Sequence, residues 1–142
     1  MPATPPHSPS AMIVRAADRP ESWFEEGCYI TECLNIPADA ALSVARARVP
    51  PRTTTRRHRL DGIVERYVIL SGRGLVEIGG GSDDGGQATD DTATVAELGP
   101  GDIAVIPAGV SQRITNLAAS DLVFLAICTP RFIHEAYCDL ER

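Results

Sequence analysis

Short apolar runs broken by turn residues at intervals of about ten positions constrain this chain more than any other feature. Each run is long enough for a strand and too short for an ordinary globular helix, so the rhythm predicts an all-β sandwich or barrel. The predicted strands are AMIVRA (11–16), CYITECLNI (28–36), ALSVARARV (41–49), TTRRHRL (54–60), ERYVIL (65–70), GLVEIG (74–79), ATVAEL (93–98), DIAVIP (102–107), QRITNL (112–117) and LVFLAICT (122–129). Between them IPAD, VPPR, LDG, SGRG, LGPG and PAG supply the proline, glycine and aspartate that turns use. DRPESWF (18–24) is expected to form a short helix, and RFIHEAYCDLER (131–142) a helical or irregular tail whose Phe132, His134 and Tyr137 either close one mouth of a barrel or cover a neighbouring subunit.

A length of 142 residues is one domain's worth, expected here as a proline-rich leader over 1–10 and a β-domain over 11–142. MPATPPHSPS has no basic segment followed by an apolar core, so it does not read as a secretory signal, and a cytoplasmic location is expected. With 44% hydrophobic and 23% charged residues the chain is ordinary for a globular domain, and no membrane span is suggested. A net charge of -6 opposes a nucleic-acid surface, which needs a positive field. Small molecules and protein partners remain.

Cys28, Cys33, Cys128 and Cys138 form no CxxC pair and are read as free thiols. GGGSDDGGQATDD (79–91) has no large apolar residue and is expected to be a flexible hairpin loop. No lysine or Ser/Thr follows it at phosphate-loop spacing.

The chemistry is concentrated in RRHRLDGIVERYVILSGRG (56–74), where His58 precedes Glu65 by seven positions. His58 and Leu60 are two apart and share a strand face, and LDG is read as a hairpin turn that returns Glu65 across from them. Tyr67 shares the face of Glu65. The stretch Arg52, His58, Leu60, Glu65, Gly72 resembles the first motif of the cupin superfamily, G-x5-H-x-H, three or four residues, E-x6-G. GPGDIAVIPAGVSQRITN resembles the second, G-x5-P-x-G-x2-H-x3-N, on Gly101, Pro107, Gly109, Gln112 and Asn116. The resemblance implies a single-domain jelly-roll barrel covering nearly the whole chain beyond its first ten residues.

It also implies a divalent metal (Fe, Mn, Ni or Zn) at the positions of His58, Glu65 and Gln112, with Leu60 and Gln112 standing where histidines are usual and Arg52 where glycine is usual. An amide oxygen is a weaker donor than imidazole, so metal affinity is expected to fall. The other reading of the same residues is a metal-free polar cluster in which Glu65 or His58 acts as a general base. Glu65 and Tyr67 are the expected catalytic residues, and Arg46, Arg48, Leu60 and Cys128 the expected pocket. Arg46 and Arg48 face solvent in one reading; facing inward, they would clamp an anionic ligand. Cys128 either looks into the barrel or packs as a small apolar residue.

The function expected is a metal-dependent small-molecule enzyme of dioxygenase, isomerase or lyase type; the alternative is a non-catalytic small-molecule binding cupin. The resemblance further implies a homodimer that exchanges N-terminal strands, for which AMIVRA would serve.

Overall fold

The computed structural model of the chain describes residues 9–80 and 93–141. Among them run eleven strands: β1 (Ser22–Phe24), β2 (Cys28–Leu34), β3 (Ser43–Val49), β4 (His58–Leu60), β5 (Val64–Ser71), β6 (Gly74–Ile78), β7 (Thr94–Leu98), β8 (Ile103–Ile106), β9 (Gln112–Asn116), β10 (Leu122–Thr129) and β11 (Tyr137–Asp139). Helix is confined to three single 3-10 turns among the described residues. One sheet has the order β1-β2-β3-β10-β5-β8 and the other β11-β4-β9-β6-β7, all pairs antiparallel. The two sheets face each other as a jelly-roll barrel.

Strict two-residue alternation decides what faces inward. Along β5, Glu65, Tyr67 and Ile69 are buried, while the intervening residues are half-buried or exposed. Phe124, Ala126 and Cys128 of β10 and Gln112, Ile114 and Asn116 of β9 face in by the same rule. At the closed end Ile69, Val76, Ile106, Ile114, Leu122 and Phe124 pack into one apolar core. At the other end the inward positions hold His58, Leu60, Glu65, Tyr67 and Cys128, so the polar chemistry sits where that packing stops.

The second motif builds scaffold. Asn116 is wholly buried; its Nδ2 reaches the carbonyls of Val49, Pro50 and Ser120 at 3.0, 3.1 and 2.8 Å, and its Oδ1 accepts the Ala118 N–H at 3.0 Å. One side chain thereby ties the end of β3 to the β9–β10 turn. In the first motif Arg52 stands at φ +54°, the left-handed region that glycine enters freely, so the turn keeps the geometry although the residue differs. Gly72 is the more demanding position. It sits at φ +85°, and a Cβ there would lie 2.7 Å from the Asp121 carbonyl oxygen. Gly72→Ala should therefore cost about 2 kcal/mol, read as a drop in urea midpoint. An unchanged midpoint would show that the turn relaxes freely.

Several expectations are corrected. The LDG turn is not a hairpin within one sheet: β4 pairs with β9 and β11, whereas β5 pairs with β10 and β8, so His58 and Glu65 belong to opposite walls. The strand expected over 54–60 is regular only at His58–Leu60, with an isolated bridge at Thr54. AMIVRA forms no strand: it is irregular until a 3-10 turn begins at Ala16, and among the described residues no strand takes its backbone groups. DRPESWF is not a helix; Ser22–Phe24 pairs with β2, and Trp23 meets Tyr29 edge-on at 5.0 Å, a cross-strand aromatic contact that three residues of helix cannot offer. The tail supplies a further strand, β11, paired to β4. The expected loop over 79–91, beyond Gly80, and most of the expected leader lie outside the described residues.

Candidate active site

The open end of the barrel holds a cavity walled by both sheets. The space free of atoms, counted out through its mouth into solvent, is about 620 Å³. Phe24, Ile30, Val44, Leu60, Phe124 and Phe132 make most of the wall apolar. His58, Glu65, Tyr67 and Glu26 supply polar groups deep in it, and Glu32, Asn35 and Ser43 further ones.

His58 is buried at 2% exposure with both ring nitrogens engaged. Nδ1 lies 2.8 Å from the Arg56 carbonyl oxygen, which can only accept, so Nδ1 carries a proton and donates it. Nε2 faces Glu26 Oε2 at 3.0 Å. The carboxylate thus stands at ion-pair distance from the imidazole. Glu26 is placed by the turn between β1 and β2, where Gly27 takes φ +104° and the Arg56 N–H donates to the Glu26 carbonyl at 2.7 Å. Its other carboxylate oxygen accepts the Cys28 thiol at 3.2 Å. Sequence reasoning missed Glu26. Its signal was EEG standing between two apolar aromatic runs, obscured by reading the residues before it as helix.

Glu65 stands on the opposite wall, and its carboxyl is pushed up to about 7, first by burial and then by the negative charge of Glu26. His58, the Gln112 amide and the Cys128 thiol act in the opposite sense without cancelling it. Cys128 Sγ lies 3.6 Å from Oε2, whereas Oε1 has no hydrogen-bond partner. The Gln112 Nε2 is likewise buried without a formed hydrogen bond, so its influence on Glu65 is exerted through proximity. The Cys128 thiol is raised in turn, by burial first and by Glu65 second.

Tyr67 donates its hydroxyl proton to Gln112 Oε1. Burial and the neighbouring carboxylates hold that phenol well above its usual range. The proton of Tyr67, expected as a catalytic residue, is thus committed to Gln112, and toward a ligand its oxygen accepts. Tyr137 of β11 stacks on the His58 ring with centroids 5.0 Å apart.

The expected pocket divides. Leu60 and Cys128 line the cavity. Arg46 and Arg48 do not: alternation along β3 turns them to the outer face, where both pair with Glu21, and Arg48 also pairs with Asp121 and lies 4.3 Å above the Tyr29 ring. Gln112 lies behind the wall, beside His58 in the β4–β9 register.

The donors implied for a divalent metal do not fit one. His58 gives Nδ1 to a backbone carbonyl and sets Nε2 against the Glu26 carboxylate, the Gln112 oxygen accepts from Tyr67, and Leu60 offers no donor, so the implied set is short of ligands. No group of three His, Cys, Asp or Glu side chains among the described residues converges to hold an ion. Of the oxygen donors implied for the ion, Glu65 Oε1 is the one left without a partner among the described residues.

No protein-family model and no curated protein matches the sequence. Solved structures do match in fold. The Staphylococcus aureus capsular polysaccharide assembling protein CapF matches with a TM-score of 0.69 and 20% identity, over 87% of this chain and 34% of that one. The chain thus spans about a third of the length of CapF. A predicted oxalate decarboxylase from Thermotoga maritima gives 0.67 and 24% over 84% and 99%. Streptomyces Pac13 with uridine, described as a nucleoside dehydratase, gives 0.70 and 11% over 93% and 92%. At these identities the likeness is one of fold, and the fold is the cupin barrel.

Proposed function

We propose that this cupin-fold chain is an acid–base enzyme for a small organic molecule, an isomerase or a lyase, that works without a metal and moves its proton through Glu65. The observation that carries this reading is a carboxyl on an apolar cavity wall, titrating near 7 and with Oε1 unpartnered. A base is most effective when its pKa lies near the working pH, and burial provides that here. His58, held beside Glu26 on the facing wall, is the group placed to return a proton to the substrate or to a leaving group. Gln112, behind the wall, holds the Tyr67 hydroxyl in place, and Tyr67 orients the ligand. The fold of Pac13, described as a nucleoside dehydratase, supports elimination as one reaction such a barrel hosts. A cytoplasmic homodimer belongs to the same proposal; exposed Met12 and Ile13 on the unpaired segment 11–15 support pairing with a second copy.

A reaction that needs only a desolvated base tests it. Ring opening of 1,2-benzisoxazole should rise with pH through an apparent pKa of about 7 and resist EDTA, with untagged protein containing far less than one metal ion per chain. Glu65→Gln should lower that rate by about 10²-fold or more. Near-stoichiometric metal that is lost in His58→Ala and Glu65→Gln would restore the metal reading. No rate above solvent would leave a binding protein.

A further inference from the structure

We propose that the cavity takes a small organic cation, an alkylated or protonated amine, in place of the anionic ligand that inward arginines would have held. This rests on the reading above that the cavity is the ligand site. The chain has no lysine, and none of its described arginines lines the wall. Of the guanidinium groups near the mouth, Arg131 donates to Asn35 Oδ1 at 2.9 Å, and Arg19 lines an adjoining groove that shares Phe24, Ile30 and Glu32 with the cavity but does not itself line the cavity wall. Three glutamates do line the wall. Glu26 is matched by His58, Glu32 is exposed at the mouth, and Glu65, only 8% exposed, keeps Oε1 free of any protein partner.

The second observation is aromatic. Phe24, Phe132 and Tyr137 line the same end, with Phe24 nearly perpendicular to both others: 79° at 6.2 Å from Phe132 and 89° at 5.2 Å from Tyr137. Tyr137 gives a face to the His58 ring, and Phe24 and Phe132, set nearly at right angles on the cavity wall, are the rings able to offer π surface to a cation, whose alkyl groups also gain from the apolar lining. A carboxylate in the same place would meet two carboxylates and no countercharge, a cost the wall does not repay.

Calorimetric titration at pH 8 with three molecules of one shape separates the possibilities. These are choline, the uncharged 3,3-dimethylbutan-1-ol and the anionic 3,3-dimethylbutanoate. Choline should bind about tenfold or more tightly than the alcohol, and the acid should give no measurable binding. Phe132→Ala and Glu32→Gln should each weaken choline several-fold while barely affecting the alcohol. Equal affinity for choline and the alcohol, tighter binding of the acid, or no binding by choline would overturn the proposal. Because binding is read without turnover, a benzisoxazole rate that persists while choline fails sinks the cation alone. Choline binding with no Glu65-dependent rate sinks only the acid–base reading.

Discussion

Glu65→Gln should make the protein more stable at pH 8 by about 3 kcal/mol and flatten its stability between pH 5 and 8. The wild-type carboxyl titrates at about 7 in the folded chain against an ordinary 4.5. The folded state therefore binds the proton more tightly, and stability falls as pH rises wherever the native state holds more protons than the unfolded one. The contribution is fully present below about 4.5, declines across the interval, and is lost above about 7. Glutamine keeps the shape without the charge, so the variant escapes the loss.

Glu21 and Glu77 behave oppositely, being held below the usual carboxylate range chiefly by hydrogen bonds from Arg48 and Arg113. What they contribute is present above 4.5 and lost as pH falls further, which separates the two windows. Urea unfolding of both proteins at pH 5, 6, 7 and 8 checks this. A wild-type profile as flat as the variant's would show that Glu65 is not desolvated.

His58→Ala should cost roughly 3–5 kcal/mol, more than an ordinary cavity of that size, because it strands a largely buried carboxylate. Glu26 is 15% exposed, and without the imidazole only the Cys28 thiol is left to it. Tyr137 loses its stacking partner in the same step. Adding Glu26→Gln should recover part of the loss, since a neutral amide tolerates burial better than an unpaired charge. A double-mutant cycle in urea measures the coupling, expected at about 1–3 kcal/mol. Strict additivity would mean that the 3.0 Å contact carries no energy of its own.

The jelly-roll barrel was legible because it depends on local rules. Turn residues mark where strands end, and the two-residue period marks which side chains enter the core, so the burial of His58, Leu60, Glu65, Tyr67 and Gln112 followed from β4, β5 and β9 being strands. The failures fell on short or weakly patterned segments. Ser22–Phe24 and Tyr137–Asp139 are three residues long, below the length at which alternation distinguishes strand from helix, and each is fixed by a neighbour remote in sequence or across a turn. Both errors mattered: β1 leads into the turn that carries Glu26, and β11 carries Tyr137.

By itself the sequence determined the barrel, the inward set at its open end and the loss of half the expected donors, for each is a property of residue type and period along one strand. Tertiary structure decided what those residues do to one another. Glu26 is 32 positions from His58 in sequence and 3.0 Å from it in space, and that contact takes the nitrogen a metal would need. The outward turn of Arg46 and Arg48 was decided in the same way, by which face of β3 met the opposite sheet, since alternation fixes that two residues share a side but not which side the core occupies.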